Sequence, residues 1–335
     1  MKILVTGGCG FIGSCFIRYI QAQDSTIEID NVDKLTYAGD FDNLRGIDRT
    51  RYNLHICDIS VESAMDAVFD KCMPEVVVNF AAETHVDRSI TGSSEFMQTN
   101  VMGTMVLLDM CRKYGIDLFC QVSSDEVYGS LGPDDSAFTE ATPIAPNSPY
   151  SASKASADML VRSYVHTHDF PAIITRCSNN YGPYQHPEKF VPLFITNAIE
   201  GELCPLYGDG LNVRDWIHVK DHCSGIWSAI QDGCVGQVYN FGGLSERRNI
   251  EIARNIMGLL GKSESLIEKV ADRPGHDKRY AMNIEKVQSE LGWSPSYSFE
   301  AGLRETVEWY KQNKRWWGRR RKQRNVLSQE DSKTS

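Results

Sequence analysis

One junction limits the folds open to this chain more than any other. The apolar run KILVT (residues 2–6) passes directly into TGGCGFIG (6–13), and a helical pattern follows from about Gly10 to Gln23. A strand that turns on glycines into a helix opens a βαβ unit. The glycines permit a tight turn, let a phosphate approach the backbone and let helix pack on strand. The rhythm then repeats. IEIDNVD (27–33), LHICD (54–58), EVVVNFAA (75–82), LFCQVSS (118–124) and AIITRCSN (172–179) read as strands, with helical stretches at Val61–Lys71, Glu95–Tyr114 and Tyr150–His168. Strands that are apolar without alternation are covered on both faces. The expected fold is therefore α/β, a Rossmann-type doubly wound parallel sheet.

Beyond about residue 180 the elements shorten and Pro and Gly increase. Residues 1–178 are expected to form the dinucleotide-binding domain, to which the chain returns at about 215–242. Segments 179–214 and 243–313 are expected to form a smaller, mixed α/β substrate domain. Residues 314–335 open with KRWWGRRRKQR, and this density of Lys and Arg predicts a frayed, solvated extension.

Composition narrows the function classes. A net charge of −9 over 335 residues argues against a broad nucleic-acid-binding face. No run approaches the roughly 18 apolar residues of a membrane helix, and the apolar start MKILV is too short for a signal peptide. The cysteines form no C-x-x-C pair and several fall in apolar patterns, which predicts reduced core thiols in a cytoplasmic protein. His85 has no partners at ligand spacing, so no metal is expected.

Gly7, Gly10 and Gly13 fit G-x-x-G-x-x-G, and Gly8, Gly10 and Gly13 fit G-x-G-x-x-G. The helix N-terminus behind them favours a pyrophosphate. Asp33 stands twenty residues after Gly13 at the end of the second strand. A carboxylate there accepts from the ribose hydroxyls and repels a 2′-phosphate, which favours NAD over NADP. Asp58, ending the third strand, is placed to reach the adenine edge. A solvated loop acid is the plain alternative for Asp33.

YSASK (150–154) sets Tyr150 and Lys154 four apart, on one helix face. A tyrosine becomes a base only if its pKa falls from about 10 toward 7, about 4 kcal/mol of preferential phenolate stabilisation. A neighbouring ammonium and a positively charged nicotinamide can supply it. Tyr310 and Lys314 repeat the spacing with no cofactor motif near them, so spacing alone decides nothing. Only the first pair follows a strand ending in Ser123–Ser124, which with Tyr150 and Lys154 points to oxidation of a secondary alcohol. The same strand end carries two adjacent acids, Asp125 and Glu126, in VSSDEVYG. Side chains of neighbours in a regular strand point to opposite faces, so joint action requires the chain to turn there. An ordinary loop, solvated or paired with a basic group, is the other reading.

TGGCGFIG, YSASK and the intervening acids resemble the extended short-chain dehydrogenase/reductase superfamily. DKLTYAG (33–39), AAETHVDRSI (81–90), SSDEVYG, CSNNYGPYQHPEKF (177–190) and DRPGHDKRYAM (272–282) are similar to its dTDP-glucose 4,6-dehydratase branch, from residue 1 to about 313. Ser124 stands where that family commonly has threonine, which keeps the hydroxyl, and the basic extension departs from the usual pattern. The resemblance implies that Tyr150 deprotonates the sugar 4-hydroxyl as hydride leaves C4, that Glu126 removes the C5 proton, and that Asp125 protonates the departing 6-hydroxyl. It implies NAD contacts from Gly7, Gly10, Phe11, Ile12, Gly13, Asp33, Lys34, Thr36, Asp58, Ile59, Ala81, Ala82, Thr84, Thr99, Tyr150, Lys154 and Asn180. It implies nucleotide-sugar contacts from Thr84, His85, Ser124, Asn179, Lys189, Phe190, Pro205, Tyr207, Arg214, Asn249, Arg273, His276 and Tyr280. It also implies a homodimer in which helices Glu95–Tyr114 and Tyr150–His168 join a four-helix bundle.

Four alternatives stay open in the sequence: the same chemistry on UDP-glucose, a 4-epimerase, a decarboxylase, and a non-catalytic NAD-binding sensor. The acid doublet favours dehydration over epimerisation or decarboxylation, and a sensor needs neither the doublet nor the Ser124, Tyr150 and Lys154 set.

Overall fold

A computed structural model describes residues 1–331, with side chains to residue 322. Its strands are β1 (Lys2–Thr6), β2 (Glu28–Val32), β3 (Tyr52–His55), β4 (Val76–Asn79), β5 (Leu118–Ser124), β6 (Ala172–Cys177), β7 (Asn179–Tyr181), β8 (Cys204–Tyr207), β9 (Val213–His218), β10 (Val238–Phe241), β11 (Glu246–Arg248) and β12 (Ile267–Val270).

Seven of them form one parallel sheet in the order β10-β6-β5-β4-β1-β2-β3. The winding reverses between β1 and β4, and such a reversal leaves a crevice beyond the carboxyl ends of the strands. Helices Phe11–Gln23 and Val219–Asp232 cover one face, burying Phe16, Ile17, Ile20 and Ile226. Helices Glu62–Cys72, Gly103–Tyr114 and Pro149–His168 cover the other, burying Phe69, Leu107, Leu108 and Val161. Truncating Ile17, Ile20, Ile226, Leu107 or Leu108 to alanine is expected to cost about 2–5 kcal/mol.

The helix expected at Glu95–Tyr114 is not continuous. Met97–Met102 winds as a π-helix before the α-helix Gly103–Tyr114 begins. The irregular turn goes with two buried polar residues, Thr99 and Asn100. Asn100 accepts from the Glu83 backbone N–H at 2.8 Å and donates to Ser153 Oγ at 2.8 Å. Periodicity alone does not announce a polar inward residue of this kind.

The later chain builds a second core from the sheet β11-β9-β7, the pair β12-β8, and helices Phe190–Glu200, Asn249–Leu260 and Phe299–Gln312. Phe194, Ile256, Leu303 and Tyr310 are buried there. Because β9 belongs to this body, the return to the large sheet begins with helix Val219–Asp232 and ends with β10.

The basic extension departs from expectation. Lys314–Asp331 is helical, and Trp316 and Trp317 are only 4 % and 2 % exposed, within the second core. Burying two indoles offsets the entropy of ordering a charged segment. Arg320 lies over the Trp316 ring at 3.8 Å and is itself buried. The last expected frayed residues, 332–335, lie outside the described residues.

Candidate active site

The cleft at the carboxyl ends of β1, β2, β4, β5 and β6 starts at the glycine turn. Gly7 has φ +69°, and a Cβ there would sit 2.7 Å from the Ala81 backbone N, so only glycine fits. Gly10 caps helix Phe11–Gln23 without a side-chain hydrogen bond, leaving its first N–H groups available to an anion. Asp33 accepts N–H bonds from Cys9 and Leu35, both at 2.8 Å. Burial raises its pKa against those bonds. Lys34 donates to Thr99 Oγ1 at 3.1 Å and lies 3.5 Å from both Asp58 and Glu83. A backbone cradle that no Cβ could enter, a helix N-terminus and a carboxylate at the next strand end together fit a dinucleotide. All the cofactor residues expected above, from Gly7 to Asn180, line this one cleft.

The reacting end lies where β5 ends beside β6, with Ser124 paired to Cys177. The chain does turn there. Asp125–Tyr128 forms a 3-10 turn capped by Ser124, whose Oγ accepts from the Glu126 N–H at 3.3 Å. Gly129 closes it at φ +87°, where a Cβ would meet the Ala145 carbonyl at 2.4 Å. The turn lets both acids line the same cleft as Ser124, Tyr150 and Lys154.

Their environments differ. Asp125 is 2 % exposed, and its Oδ2 has no hydrogen-bond partner among the described residues. Burial first, then the adjacent Glu126 carboxylate, pushes its pKa well above the usual range. Glu126 accepts from Ser151 Oγ at 3.1 Å. Burial raises its pKa too, with Arg273 and Arg214 pulling it down. Lys154 donates to the Val122 carbonyl at 2.7 Å; burial lowers its pKa and Asp158 opposes that. Tyr150 runs against expectation in the chain by itself: burial and then Glu126 push its phenol well above 10, opposed by Ser124.

Of the expected substrate residues, Thr84, Ser124, Asn179 and Lys189 line this cleft, and Lys189 crosses it to donate to the Thr84 carbonyl at 2.9 Å. A second group gathers outside those walls. Arg214 stacks over Tyr280 at 4.2 Å, Arg273 pairs with Asp87 at 3.3 Å, Tyr207 donates to the same carboxylate at 3.3 Å, and His276 lies 2.6 Å from Asp272. Phe190, Pro205 and Asn249 are also outside the cleft walls. Phe190 packs on Phe194 at 4.6 Å, Pro205 lies in the β8–β12 pair, and Asn249 opens a helix. His85 caps Val86–Thr91 and lies 3.7 Å from Glu188. Among the described residues no group of His, Cys, Asp and Glu is arranged to hold a metal ion.

Sequence reasoning missed Asn43, Tyr184, Trp316 and Arg320 as cleft residues. For the last two, the signal was the WW pair inside an otherwise charged stretch.

Known proteins share this architecture. The family described as GDP-mannose 4,6 dehydratase matches residues 4–306. A dTDP-glucose 4,6-dehydratase of Neisseria meningitidis serogroup B is 48 % identical over 94 % of this chain and 95 % of its own length. The crystal structure of a dTDP-glucose 4,6-dehydratase from Bacillus anthracis in complex with NAD is 51 % identical, with TM-score 0.89 over 96 % of this chain and 99 % of that one. A Streptomyces venezuelae dTDP-glucose 4,6-dehydratase structure with NAD and TYD bound is 45 % identical, with TM-score 0.92 over 96 % and 100 %. Sequence, fold and cleft agree: the chain belongs to the dTDP-glucose 4,6-dehydratase family.

Proposed function

We propose that the chain is an NAD-dependent hydro-lyase that converts dTDP-D-glucose to dTDP-4-keto-6-deoxy-D-glucose and water. The observation that carries the reading is the Asp125–Glu126 turn opening into the same cleft as Tyr150, Lys154 and the glycine cradle. Bound NAD would take hydride from C4 and return it to C6, and its positively charged ring would favour the Tyr150 phenolate that burial disfavours. Tyr150 accepts the 4-hydroxyl proton, with Ser124 placed to hold that oxygen and Lys154 supplying positive charge. The C4 ketone acidifies the C5 proton, which Glu126 removes. Asp125 gives its proton to the C6 hydroxyl, which departs as water, and C5 is reprotonated after hydride return.

The two acids suit opposite tasks. Burial raises both pKa values; Asp125 is pushed further up by the adjacent Glu126, while Arg273 and Arg214 pull Glu126 down and Arg214 also opposes the rise at Asp125. Arg214 and Arg273 would face the diphosphate, Arg214 from a rigid stack on Tyr280. The second core would thus serve as the substrate domain.

Assembly is a further part of the proposal. Ile90, Met97, Met102 and Met159 are each more than 40 % exposed. Met159 and Leu160 line a shallow groove with Val101 and Ala155 on the helices flanking the cleft. An apolar patch of this kind suits a second copy joined through a four-helix bundle. Size-exclusion chromatography with light scattering should give a dimer, and Met159→Asp should shift it toward monomer. The free thiols suit a cytoplasmic setting.

The test of the activity is direct. Purified protein, given dTDP-glucose or UDP-glucose without added NAD, is followed by mass spectrometry. Loss of one water, faster from dTDP-glucose, is expected. No water loss from either, even with NAD supplied, would overturn the reading.

A further inference from the structure

The helix beginning at Lys314 is used neither by the large sheet nor by the chemistry above, yet Trp316 and Arg320 form part of the cleft wall. Together they gather Asn43, Asp40 and Tyr184 into one group of contacts. Trp316 Nε1 donates to Asn43 Oδ1 at 3.0 Å, and the ring meets Tyr184 edge-on with centroids 5.6 Å apart. Arg320 pairs with Asp40 at 2.6 Å and donates to Asn43 Oδ1 at 3.3 Å and to the Trp316 carbonyl at 2.8 Å. Its side chain is 3 % exposed. Arg319 pairs with Asp42, and Arg18 stacks over Tyr184 at 4.5 Å while donating to the Asn43 carbonyl.

These anchors are selective. Asp40, Asp42 and Asn43 follow directly on Asp33, Lys34 and Thr36, which line the cleft where the adenosine half of a dinucleotide would lie. Tyr184 lines the cleft as well, four residues after Asn180. None of the contacts made by Trp316, Arg319 or Arg320 involves Ser124, Asp125, Glu126 or Tyr150.

We propose that Lys314–Lys322 is a latch that holds the segment following Asp33 closed over the adenosine half of bound NAD and so slows cofactor loss between turnovers. The proposal rests on the NAD-dependent reading above. A redox-neutral cycle leaves the cofactor as it began, so only the sugar nucleotide has to exchange. A clasp whose contacts leave out Ser124, Asp125, Glu126 and Tyr150 matches that need. Trp316 and Arg320 act as positioning residues, through Asp40 and Asn43.

The test compares the intact protein with Asp40→Asn, Arg320→Ala and Arg320→Lys. Asp40→Asn removes the ion pair but keeps the side-chain oxygen that accepts from the Asp42 N–H at 2.7 Å. NAD per subunit is measured after gel filtration, and exchange of bound NAD for isotopically labelled NAD is timed on denatured samples. Exchange should quicken about tenfold in Asp40→Asn and Arg320→Ala, the scale of one charge-assisted hydrogen bond. Arg320→Lys should fall between. In Asp40→Asn, turnover at saturating NAD should change little while the affinity for NAD falls. Parent-like exchange in Asp40→Asn, with an unchanged melting profile, would overturn the latch even if Arg320→Ala fails to fold. A parent that loses water from dTDP-glucose while the variants exchange at its rate sinks the latch alone. A parent that binds no NAD sinks the cofactor reading and the latch together.

Discussion

Two tyrosine–lysine pairs in this chain share one spacing and end in opposite situations. Tyr150 and Lys154 lie on helix Pro149–His168, both line the cleft, and the Lys154 ammonium is buried against the Val122 carbonyl. Tyr310 is as deeply buried, but its hydroxyl is committed to the Gln185 carbonyl. Lys314 falls beyond the end of helix Phe299–Gln312, 65 % exposed and paired with Glu200 at 2.7 Å. The difference teaches that the motif is inert by itself. A tyrosine becomes a candidate base when it lines a cleft that also holds a desolvated cation, and a structural bond when its hydroxyl faces a backbone carbonyl.

Substitutions can break or sharpen that contrast. The largest effect is expected from Tyr150→Phe, which should cut dehydration about 10²–10⁴-fold, whereas Tyr310→Phe should leave turnover near that of the parent. Equal losses measured by a coupled mass-spectrometric assay would erase the distinction. Glu126→Gln should lower water loss by a similar factor. It should still permit C4 oxidation, seen as nicotinamide absorbance that builds on adding substrate and does not decay. Lys154→Met should cost about 10–100-fold and move the rising limb of the pH–rate profile upward, because loss of the cation raises the phenol pKa further. A pH profile unchanged in position would remove Lys154 from that role.

Stability effects are smaller. Burial raises the folded-state pKa of Asp125, so the folded chain binds that proton more tightly than the unfolded chain. The resulting stabilisation is complete below the ordinary value of 3.8 and is lost as pH rises through the raised folded value. Asp125→Asn should therefore flatten the fall in melting temperature with rising pH while abolishing activity. Denaturant melts at several pH values would show it. Tyr310→Phe should cost about 1–3 kcal/mol by leaving the Gln185 carbonyl unpaired, and Lys314→Ala at most about 0.5 kcal/mol.

How far the sequence could be read depended on the range of the interaction. The parallel sheet was legible in the alternation of apolar runs and helices, and the glycine turn in a contiguous motif; the strand order, with its reversal between β1 and β4, came from the structure. The π-helix at Met97–Met102 was not, because it accompanies an inward Asn100 whose partners Glu83 and Ser153 lie on other elements. The extension from Lys314 misled for the same reason: its charges suggested solvation, while Trp316 and Trp317 found a core assembled from distant segments. Phe190, Pro205 and Asn249 were named by family pattern; they lie on the second body, apart from the residues that line the cleft.

The sequence by itself therefore determined what depends on neighbours along the chain: strand after helix, glycines where no Cβ fits, a lysine one turn beyond a tyrosine. Tertiary structure alone decided which tyrosine faces a cleft, that the two acids share that cleft with their pKa values pushed by different surroundings, and that a basic tail folds onto the cofactor wall. The physical reason is that burial and Coulombic neighbours act through space, between residues far apart in the sequence, and no spacing along the chain records them.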